Sequence, residues 1–303
     1  MRIVIMGSGG TGAYYGAKLV QAGHTVTFVA RGAHLQAMQT EGLRIQGTEN
    51  FHLPHVTAVS SLEGHAPADV VIFATKAYDT DGAAHTIKPV IGPDTTVLPI
   101  QNGVDSYDRI GSIVGHEHVI GGLCRISAEI ASPGVIALHS SFTQITLGEM
   151  DRRPSVRTEA LAKALNDAGI PTDVSTDIQA DMWRKFAFIT AFSGVTGATR
   201  STIGPIRAVP ETFAIYRRIA EEVVAVGKAE GVDLGAEFVD MLVVQAQGLP
   251  AGMKASLLVD LERGKRTEVE TLQGTVVALG RKHGVPTPVT ETIYGLIKLH
   301  QPQ

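Results

Sequence analysis

A glycine-rich run near the N-terminus has the spacing of a dinucleotide-binding loop. It reads Gly7-Ser8-Gly9-Gly10-Thr11-Gly12, a G-x-G-x-x-G pattern directly after the apolar run 3–6. In such loops the first glycine permits a tight turn, the second lets the backbone approach a pyrophosphate, and the third allows close packing of a helix on a strand. The free N–H groups at the start of the next helix then face the anion. We therefore predict that residues 7–12 bind a dinucleotide.

The end of the second apolar run favours NADPH as that dinucleotide. Sites for NAD carry an Asp or Glu about 20 residues beyond the glycine loop, where it accepts a hydrogen bond from the ribose 2′-OH. Here the run 25–30 ends in Ala30 and is followed by Arg31. A guanidinium in that place can form two hydrogen bonds to a 2′-phosphate. We therefore expect Arg31 to bind the 2′-phosphate of NADPH.

Short β-branched runs alternate with helical patterns in the first half of the chain. The runs are 3–6, 25–30, 70–74 and 96–100, and a helical pattern over 11–22 separates the first two. This alternation predicts a parallel sheet with crossover helices, which makes the fold class α/β. Further on, the patterns indicate hairpin-like extended segments over 134–149, a helix over 156–168 and a last strand over 172–175. We expect these elements to form a Rossmann domain over residues 1–178.

From about Ile178 onward the periodicity becomes helical, which predicts an all-helical domain over 179–303. Pro210 at an early helical position and Gly231 just past the end indicate a helix over 210–230. Thr267 and Glu270 have the spacing of a capping box, so a helix is expected to open there and to end before Gly284. The uncharged run 186–198 is too short to span a bilayer, and we expect it to form a buried core helix.

The composition excludes several classes of function. The chain has 303 residues, and its 26 Lys and Arg against 30 Asp and Glu include no basic run of the kind that tracks phosphates in nucleic acid. The single Cys124 excludes an intrachain disulfide and a cysteine metal cage. The 11 His lack partners at metal-ligand spacing. With no secretory pattern at the start, we expect a soluble, cytoplasmic protein without metal, nucleic-acid or membrane partners.

The ordered set of motifs resembles the ketopantoate reductases (2-dehydropantoate 2-reductases) over essentially the whole chain. The segments that carry the resemblance are 7–12 with Arg31, Ala74-Thr75-Lys76, Gln101-Asn102-Gly103, Trp183-Arg184-Lys185-Phe186, and Gly264-Lys265-Arg266-Thr267-Glu268-Val269-Glu270. The first segment is common to many dehydrogenases, whereas the set is specific. The resemblance implies a C-terminal domain arranged as in 6-phosphogluconate dehydrogenase, serving substrate binding and dimerisation, and a homodimer as the assembly.

The resemblance also implies a reaction and roles for individual residues. Hydride from NADPH would reduce the C2 carbonyl of 2-dehydropantoate to pantoate, a step of pantothenate biosynthesis, and Lys185 would protonate the nascent alkoxide. Glu268 would position the substrate and the groups around that lysine, and Ser256 would bind the substrate. Asn102 would bridge cofactor and substrate, and Lys76 would lie beside the cofactor ribose. Independently, a lysine acts as a general acid when desolvation lowers its pKa from about 10.4 toward 7 to 8, and Lys185 opens onto the uncharged run 186–198.

Two positions depart from the family pattern, which places Asn four and eight residues after the catalytic lysine. Those positions are Ile189 and Ser193 here, and the spacing puts both on the face of the helix that carries Lys185. An apolar branch and a short hydroxyl cannot replace two amides that would bind the hydroxyl and carboxylate ends of the substrate. Because discrimination for a hydroxylated substrate depends on buried polar partners, the departure leaves the reaction type intact and the substrate open.

Three hypotheses follow for the function. The first is an NADPH-dependent 2-oxo acid reductase that acts on 2-dehydropantoate. The second is a D-2-hydroxy acid dehydrogenase for a bulkier, apolar 2-oxo acid, which Ile189 would suit. The third is a non-catalytic NADP(H)-binding sensor, against which the presence of both Lys185 and Glu268 argues. Turnover of NADPH with a panel of 2-oxo acids distinguishes the three hypotheses.

Overall fold

Twelve strands and five α-helices lie within residues 1–178 of the computed structural model, which describes residues 1–301. The strands are β1 Arg2–Met6, β2 Thr25–Val29, β3 Leu43–Gly47, β4 Phe51–Leu53, β5 Thr57–Val59, β6 Val70–Phe73, β7 Thr96–Pro99, β8 Gly121–Arg125, β9 Ala128–Ser132, β10 Val135–Leu138, β11 Gln144–Gly148 and β12 Thr172–Val174. The helices are α1 Gly10–Gln21, α2 Gly32–Thr40, α3 Thr80–Ile87, α4 Ser106–Val114 and α5 Val156–Asp167. The predicted strands 3–6, 25–30, 70–74 and 96–100 and the predicted helices 11–22 and 156–168 are confirmed within one or two residues.

The central sheet has five parallel strands in the order β5-β2-β1-β6-β7. Side chains of β1 alternate between its two faces: Ile3 and Ile5 belong to one buried apolar cluster, whereas Val4 and Met6 belong to another. A strand buried on both faces is typical of a parallel sheet that is covered by helices on each side. The strand order reverses between β1 and β6, the place where doubly wound sheets bind nucleotides. The α/β Rossmann prediction is confirmed.

Two smaller sheets complete this unit, in the orders β4-β3-β10-β9 and β12-β11-β8. The predicted hairpin over 134–149 is wrong in its pairing, although both segments are extended. Strand β10 pairs with β3 and β9, and strand β11 pairs with β8 and β12. The local pattern shows that two segments are extended, but β10 forms its hairpin with the preceding β9, and both β10 and β11 also pair with strands distant in sequence. The predicted strand 172–175 is present as β12.

Helices make up the rest of the described chain. They are α6 Ile178–Thr199, α7 Ile203–Ala208, α8 Pro210–Ala229, α9 Phe238–Gly248, α10 Ser256–Glu262, α11 Thr275–His283 and α12 Pro288–Lys298. The predicted helix 210–230 is α8, followed by Gly231 with φ +87°. Helix α11 ends at Gly284 in the left-handed conformation, as predicted. The uncharged run 186–198 lies within α6 and contributes Phe186, Ala187 and Val195 to a buried apolar cluster.

The capping box predicted at Thr267 and Glu270 does not form. Glu270 accepts from the Tyr294 hydroxyl at 2.6 Å and pairs with Lys298 at 2.9 Å, while the backbone N–H of Thr267 donates to Gln301. The segment Glu270–Gly274 is a π-helical turn that leads into α11. Tertiary partners on and just beyond α12 therefore replace the reciprocal hydrogen bonds of a capping box. The α-helical part begins at Thr275, later than predicted.

Contacts divide the chain into two units. One contains residues 1–101 and 105–178, and the other contains 102–104 together with the chain from Gln179. The short segment Asn102–Val104 was expected within the Rossmann domain, but its contacts assign it to the helical unit. Of the helices within residues 1–301, none is long and apolar enough to cross a membrane.

Candidate active site

The glycine loop has the backbone geometry that its sequence predicts. Gly7 has φ +95°, a conformation that disfavours any residue with a Cβ. A Cβ at Gly12 would lie 2.2 Å from the Gly7 carbonyl oxygen, so only glycine allows α1 to approach the loop this closely. A Cβ at Gly9, in contrast, would meet no atom within 4 Å. The loop is therefore tight where it packs on the protein and open at the glycine expected to face a pyrophosphate.

Two further features suit the loop to an anion. Gly9 caps α1 without a side-chain hydrogen bond, and the first turn carries no acidic residue, so the helix N-terminus presents N–H groups and a partial positive charge. Ser8 is buried, and both its backbone N–H and its hydroxyl donate to the Val29 carbonyl, at 3.1 and 3.0 Å. Ser8 thus connects the loop to the end of β2 through its backbone and its side chain.

The carboxyl ends of the parallel strands bring other predicted residues to the same sheet edge. Arg31 follows β2, is exposed, and precedes α2 with extended backbone. Lys76 follows β6, is exposed, and precedes a 3-10 turn over Ala77–Asp79. Neighbouring parallel strands end at one edge, so Arg31, Lys76 and the glycine loop share the edge at which β1 also ends. Arg31 has no carboxylate before it at the end of β2, where an NAD site would have one.

Gln101, to which the sequence analysis gave no role, links two of these strand ends. It lies just beyond β7 and is buried, and its Nε2 donates to the Thr75 carbonyl at 2.9 Å and to the Thr80 hydroxyl at 3.0 Å. A Cβ at Gly7 would approach the backbone N of Thr75 to 2.7 Å, so Thr75 packs directly under the glycine loop. The signal in the sequence was an amide directly after a buried strand, which periodicity alone does not assign.

Helix α6 carries Lys185, Ile189 and Ser193 at intervals of one helical turn. Lys185 is half-buried, and Trp183 and Phe186 beside it are buried with their rings edge to face at 5.4 Å. Ile189 is half-buried against the apolar cluster of the helical unit, and Ser193 is 3% exposed. The predicted lysine thus lies on a largely apolar, well-packed helix.

Asn102 and Glu268 are brought together within the helical unit. The Asn102 Nδ2 donates to Glu268 Oε2 at 3.2 Å across 166 positions of sequence. Glu268 is only 6% exposed, and a buried polar group needs hydrogen-bond partners of this kind. Ser256, the third predicted residue of this group, is exposed at the first position of α10, and within residues 1–301 the structure does not bring it into hydrogen-bond contact with Asn102 or Glu268.

A second amide connects the helix of Lys185 with the segment of Glu268. Gln273, in the π-helical turn, is fully buried and donates from Nε2 to the Thr190 carbonyl of α6 at 2.9 Å. The backbone runs helically from Glu268 to this turn, because Leu272 N–H donates to the Glu268 carbonyl at 3.0 Å. Gln273 was not predicted from the sequence, since it is spaced like a core residue of an ordinary helix.

Comparison with protein families decides the relationship of this chain. The family described as Ketopantoate reductase PanE/ApbA matches residues 3–152, and the family Ketopantoate reductase PanE/ApbA C terminal matches residues 177–301. The chain belongs to the ketopantoate reductase family. The family is one of oxidoreductases, and the two matched regions follow the same order as the dinucleotide loop and the helix with Lys185.

Curated relatives of the family match over nearly their whole length. The 2-dehydropantoate 2-reductase of Mesorhizobium japonicum is 33% identical over 319 aligned residues, which cover 98% of this chain and 97% of the relative. That of Archaeoglobus fulgidus is 33% identical over 299 residues, with the same coverage. The chain is thus similar to these reductases in both units.

Solved structures agree with the family. A ketopantoate reductase of the PanE/ApbA family from Ralstonia eutropha JMP134 has a TM-score of 0.90 at 30% identity, covering 99% of this chain and 98% of that one. A D-mandelate dehydrogenase, solved with NADH and anilino(oxo)acetate, has a TM-score of 0.89 at 22% identity, covering 99% and 98%. At that identity the second likeness concerns the fold alone.

Proposed function

We propose that this member of the ketopantoate reductase family reduces a 2-oxo acid to a 2-hydroxy acid with NADPH. The observation that carries the proposal is the hydrogen bond from Asn102 to the buried Glu268, because it joins two residues that the family pattern places at the substrate. An open glycine loop at an uncapped helix N-terminus supports the dinucleotide. Arg31, with no carboxylate before it, supports NADPH over NADH.

Different residues of this chain would have separate roles in such a reaction. Bound NADPH would supply the hydride that reduces the carbonyl. Lys185 would donate a proton from Nζ to the carbonyl oxygen as charge develops there, a general-acid role that contributes roughly 10² to 10⁴ in rate. Glu268, held by Asn102, would orient the substrate and balance the charge of the lysine. Arg31, the glycine loop and Lys76 would hold phosphates and ribose, and the apolar side chains near Lys185 would exclude water.

Ketopantoate is the first substrate to consider, because the curated relatives in Mesorhizobium japonicum and Archaeoglobus fulgidus are named for it. Ile189 favours a second candidate, a 2-oxo acid with an apolar branch. Its side chain cannot bond a hydroxyl, and apolar surface that a substrate covers contributes about 25 cal/mol per Å². Both candidates use the same reaction and differ only in the group beyond the reacting carbonyl.

Steady-state oxidation of NADPH with a panel of 2-oxo acids tests the proposal. The panel contains ketopantoate, its analogue without the terminal hydroxyl, and branched and aromatic 2-oxo acids, each measured also with NADH. We expect turnover with NADPH on at least one member. Binding of NADPH without turnover on any member would instead support a sensor, and strong use of NADH would contradict the role given to Arg31.

We also propose a homodimer as the assembly, since closed two-fold dimers are the commonest symmetric assembly of proteins. Light scattering coupled to size-exclusion chromatography measures the mass directly. A mass near twice the 32.0 kDa of the chain is expected, and a monomer at micromolar concentration would contradict the proposal.

A further inference from the structure

Gln101 connects two segments at the sheet edge that carries the glycine loop: the segment after β7 and the connection from β6 to α3. Its side chain is 6% exposed, and its Nε2 lies 2.9 Å from the Thr75 carbonyl, 3.2 Å from the Thr75 hydroxyl and 3.0 Å from the Thr80 hydroxyl. Thr75 follows β6, and Thr80 begins α3. One amide nitrogen thus fixes the connection between β6 and α3 to the end of β7.

Thr75 is the residue through which this connection reaches the glycine loop. Gly7 turns with φ +95°, and a Cβ there would come within 2.7 Å of the Thr75 backbone N and 2.8 Å of its Cγ2. Thr75 therefore packs directly against the first glycine of the loop and leaves no space for a side chain there. A shift of Thr75 by even a few tenths of an ångström would change the space available to Gly7. Thr75 also directly precedes Lys76, which we place beside the ribose.

Packing alone does not explain an amide at this position. The Gln101 Oε1 is buried and has no hydrogen-bond partner among residues 1–301, and an unpaired buried acceptor destabilises the fold. Leucine has a similar volume and would avoid that penalty. What the amide provides and leucine cannot is the set of directed hydrogen bonds to Thr75 and Thr80.

We propose that Gln101 is a positioning residue for the dinucleotide: it holds Thr75 against Gly7 and so keeps the phosphate loop in its binding geometry. The inference rests on the proposed function only in taking a nicotinamide dinucleotide as the ligand. Gln101 acts through Thr75 and does not itself contact the phosphates. Loss of its amide should therefore weaken the binding of NADPH, and should change the Michaelis constant for the 2-oxo acid little once NADPH is saturating.

The test measures the NADPH dissociation constant of the full chain by calorimetry, together with kinetics. Gln101→Leu is expected to raise that constant about tenfold. Thr80→Val keeps the shape but removes one acceptor of Gln101 and the donor to the Ala77 carbonyl, and it should raise the constant less, roughly threefold. The matched control is Thr95→Val at the opposite end of β7. Thr95 is 2% exposed and donates to the Ala68 carbonyl at 2.6 Å, so its loss should lower thermal stability and leave the dissociation constant unchanged.

The possible outcomes separate this inference from the proposed function. A wild type that binds no nicotinamide dinucleotide would overturn the proposed function before any variant is compared. A wild type that binds NADPH, with Gln101→Leu folded and binding within twofold of it, would overturn the role of Gln101 alone. If Gln101→Leu does not fold, the comparison of Thr80→Val with Thr95→Val decides: equal dissociation constants for these two would also refute the inference.

Discussion

The Nδ2 of Asn102 lies 3.2 Å from Oε2 of Glu268. This bond connects the segment after β7 with the segment before the π-helical turn, and both belong to the helical unit. A buried carboxyl group without hydrogen-bond donors would destabilise the fold. The amide of Asn102 thus provides a neutral donor to a buried residue that we place at the substrate.

Replacement of Asn102 by aspartate tests the importance of that neutral donor. Asn102→Asp would put two carboxylates in hydrogen-bond contact, and their repulsion should lower kcat/KM for the 2-oxo acid at neutral pH by at least tenfold more than Asn102→Ala does. Steady-state kinetics of the two variants provide the comparison. Equal losses in Asn102→Asp and Asn102→Ala would mean that the bond to Glu268 is not maintained during the reaction.

Lys185 is predicted to be the proton donor. Lys185→Ala should lower kcat by roughly 100-fold or more and leave NADPH binding intact, because general acid catalysis contributes 10² to 10⁴. Lys185→Arg should be equally impaired, since a guanidinium keeps the charge but does not release a proton at neutral pH. Single-turnover kinetics and calorimetry check both points. Substantial activity in Lys185→Arg would indicate an electrostatic role in place of proton transfer.

Arg31 is predicted to select NADPH. Arg31→Ala should weaken NADPH by about 1 to 3 kcal/mol, the value of hydrogen bonds to a charged group, and should leave NADH almost unaffected. Michaelis constants for the two dinucleotides give the ratio. Arg44→Ala, which removes an exposed positive charge on β3 of the same unit, is the control and should not change it.

Ile189 is predicted to set the preference among 2-oxo acids. Ile189→Asn should move kcat/KM toward ketopantoate and away from its analogue without the hydroxyl, by about 1 to 3 kcal/mol in relative terms. Ser193 is left unchanged because it is buried at 3% exposure, where a larger amide would crowd the core. Ile189→Leu keeps the apolar surface and should retain the original preference. A wild type that already strongly prefers ketopantoate would disprove this prediction.

An ion pair in the Rossmann unit should make its stability depend on pH. Arg157 donates to both carboxylate oxygens of Glu149, each at 2.6 Å. Burial raises the pKa of Glu149, but hydrogen bonds from Arg157 and Ser155 outweigh it and leave that pKa below the ordinary 4.5. A carboxyl with a lowered pKa in the folded state stabilises the fold above its unfolded pKa, and this contribution is lost as pH falls through the folded pKa.

Arg157→Met should accordingly cost about 1 to 3 kcal/mol of unfolding free energy at pH 7. The difference from wild type should shrink as the pH falls below 4.5 and through the lowered pKa of Glu149. Urea unfolding of the variant and the wild type, at pH 7 and at a pH below 4.5, measures this difference in unfolding free energy. Arg153→Met serves as the control, because its pair with Asp151 is 3.7 Å long and its side chains are 84% and 61% exposed; no loss is expected there. A loss in Arg157→Met that is the same at both pH values would contradict the assigned ion pair.

Sequence reasoning predicted those features of the fold that local rules determine. Alternating runs identified the parallel strands, and glycine chemistry identified the loop: Gly7 and Gly12 have just the conformational and packing requirements inferred from their spacing. Helix α8 and the end of α11 also followed from proline and glycine positions. These signals are short-range, so no knowledge of distant partners was needed.

The features that sequence reasoning missed depend on long-range contacts. The capping box at Thr267 failed because partners in the region of α12, 34 and 24 positions away, bind its N–H and the Glu270 carboxylate. The roles of Gln101 and Gln273 appear only when their acceptors on other elements are known. Asn102 was recognised by resemblance, but its membership of the helical unit depends on a partner 166 positions away.

The buried Trp183 gives the protein a built-in optical reporter. It is the single tryptophan of the chain and is 6% exposed, with its ring packed against Phe186 and Gly227. Tryptophan fluorescence therefore reports on the helical unit, two residues from Lys185, because the Rossmann unit contains no tryptophan. Fluorescence during denaturation, compared with circular dichroism of the whole chain, would show whether the two units melt together or one after the other.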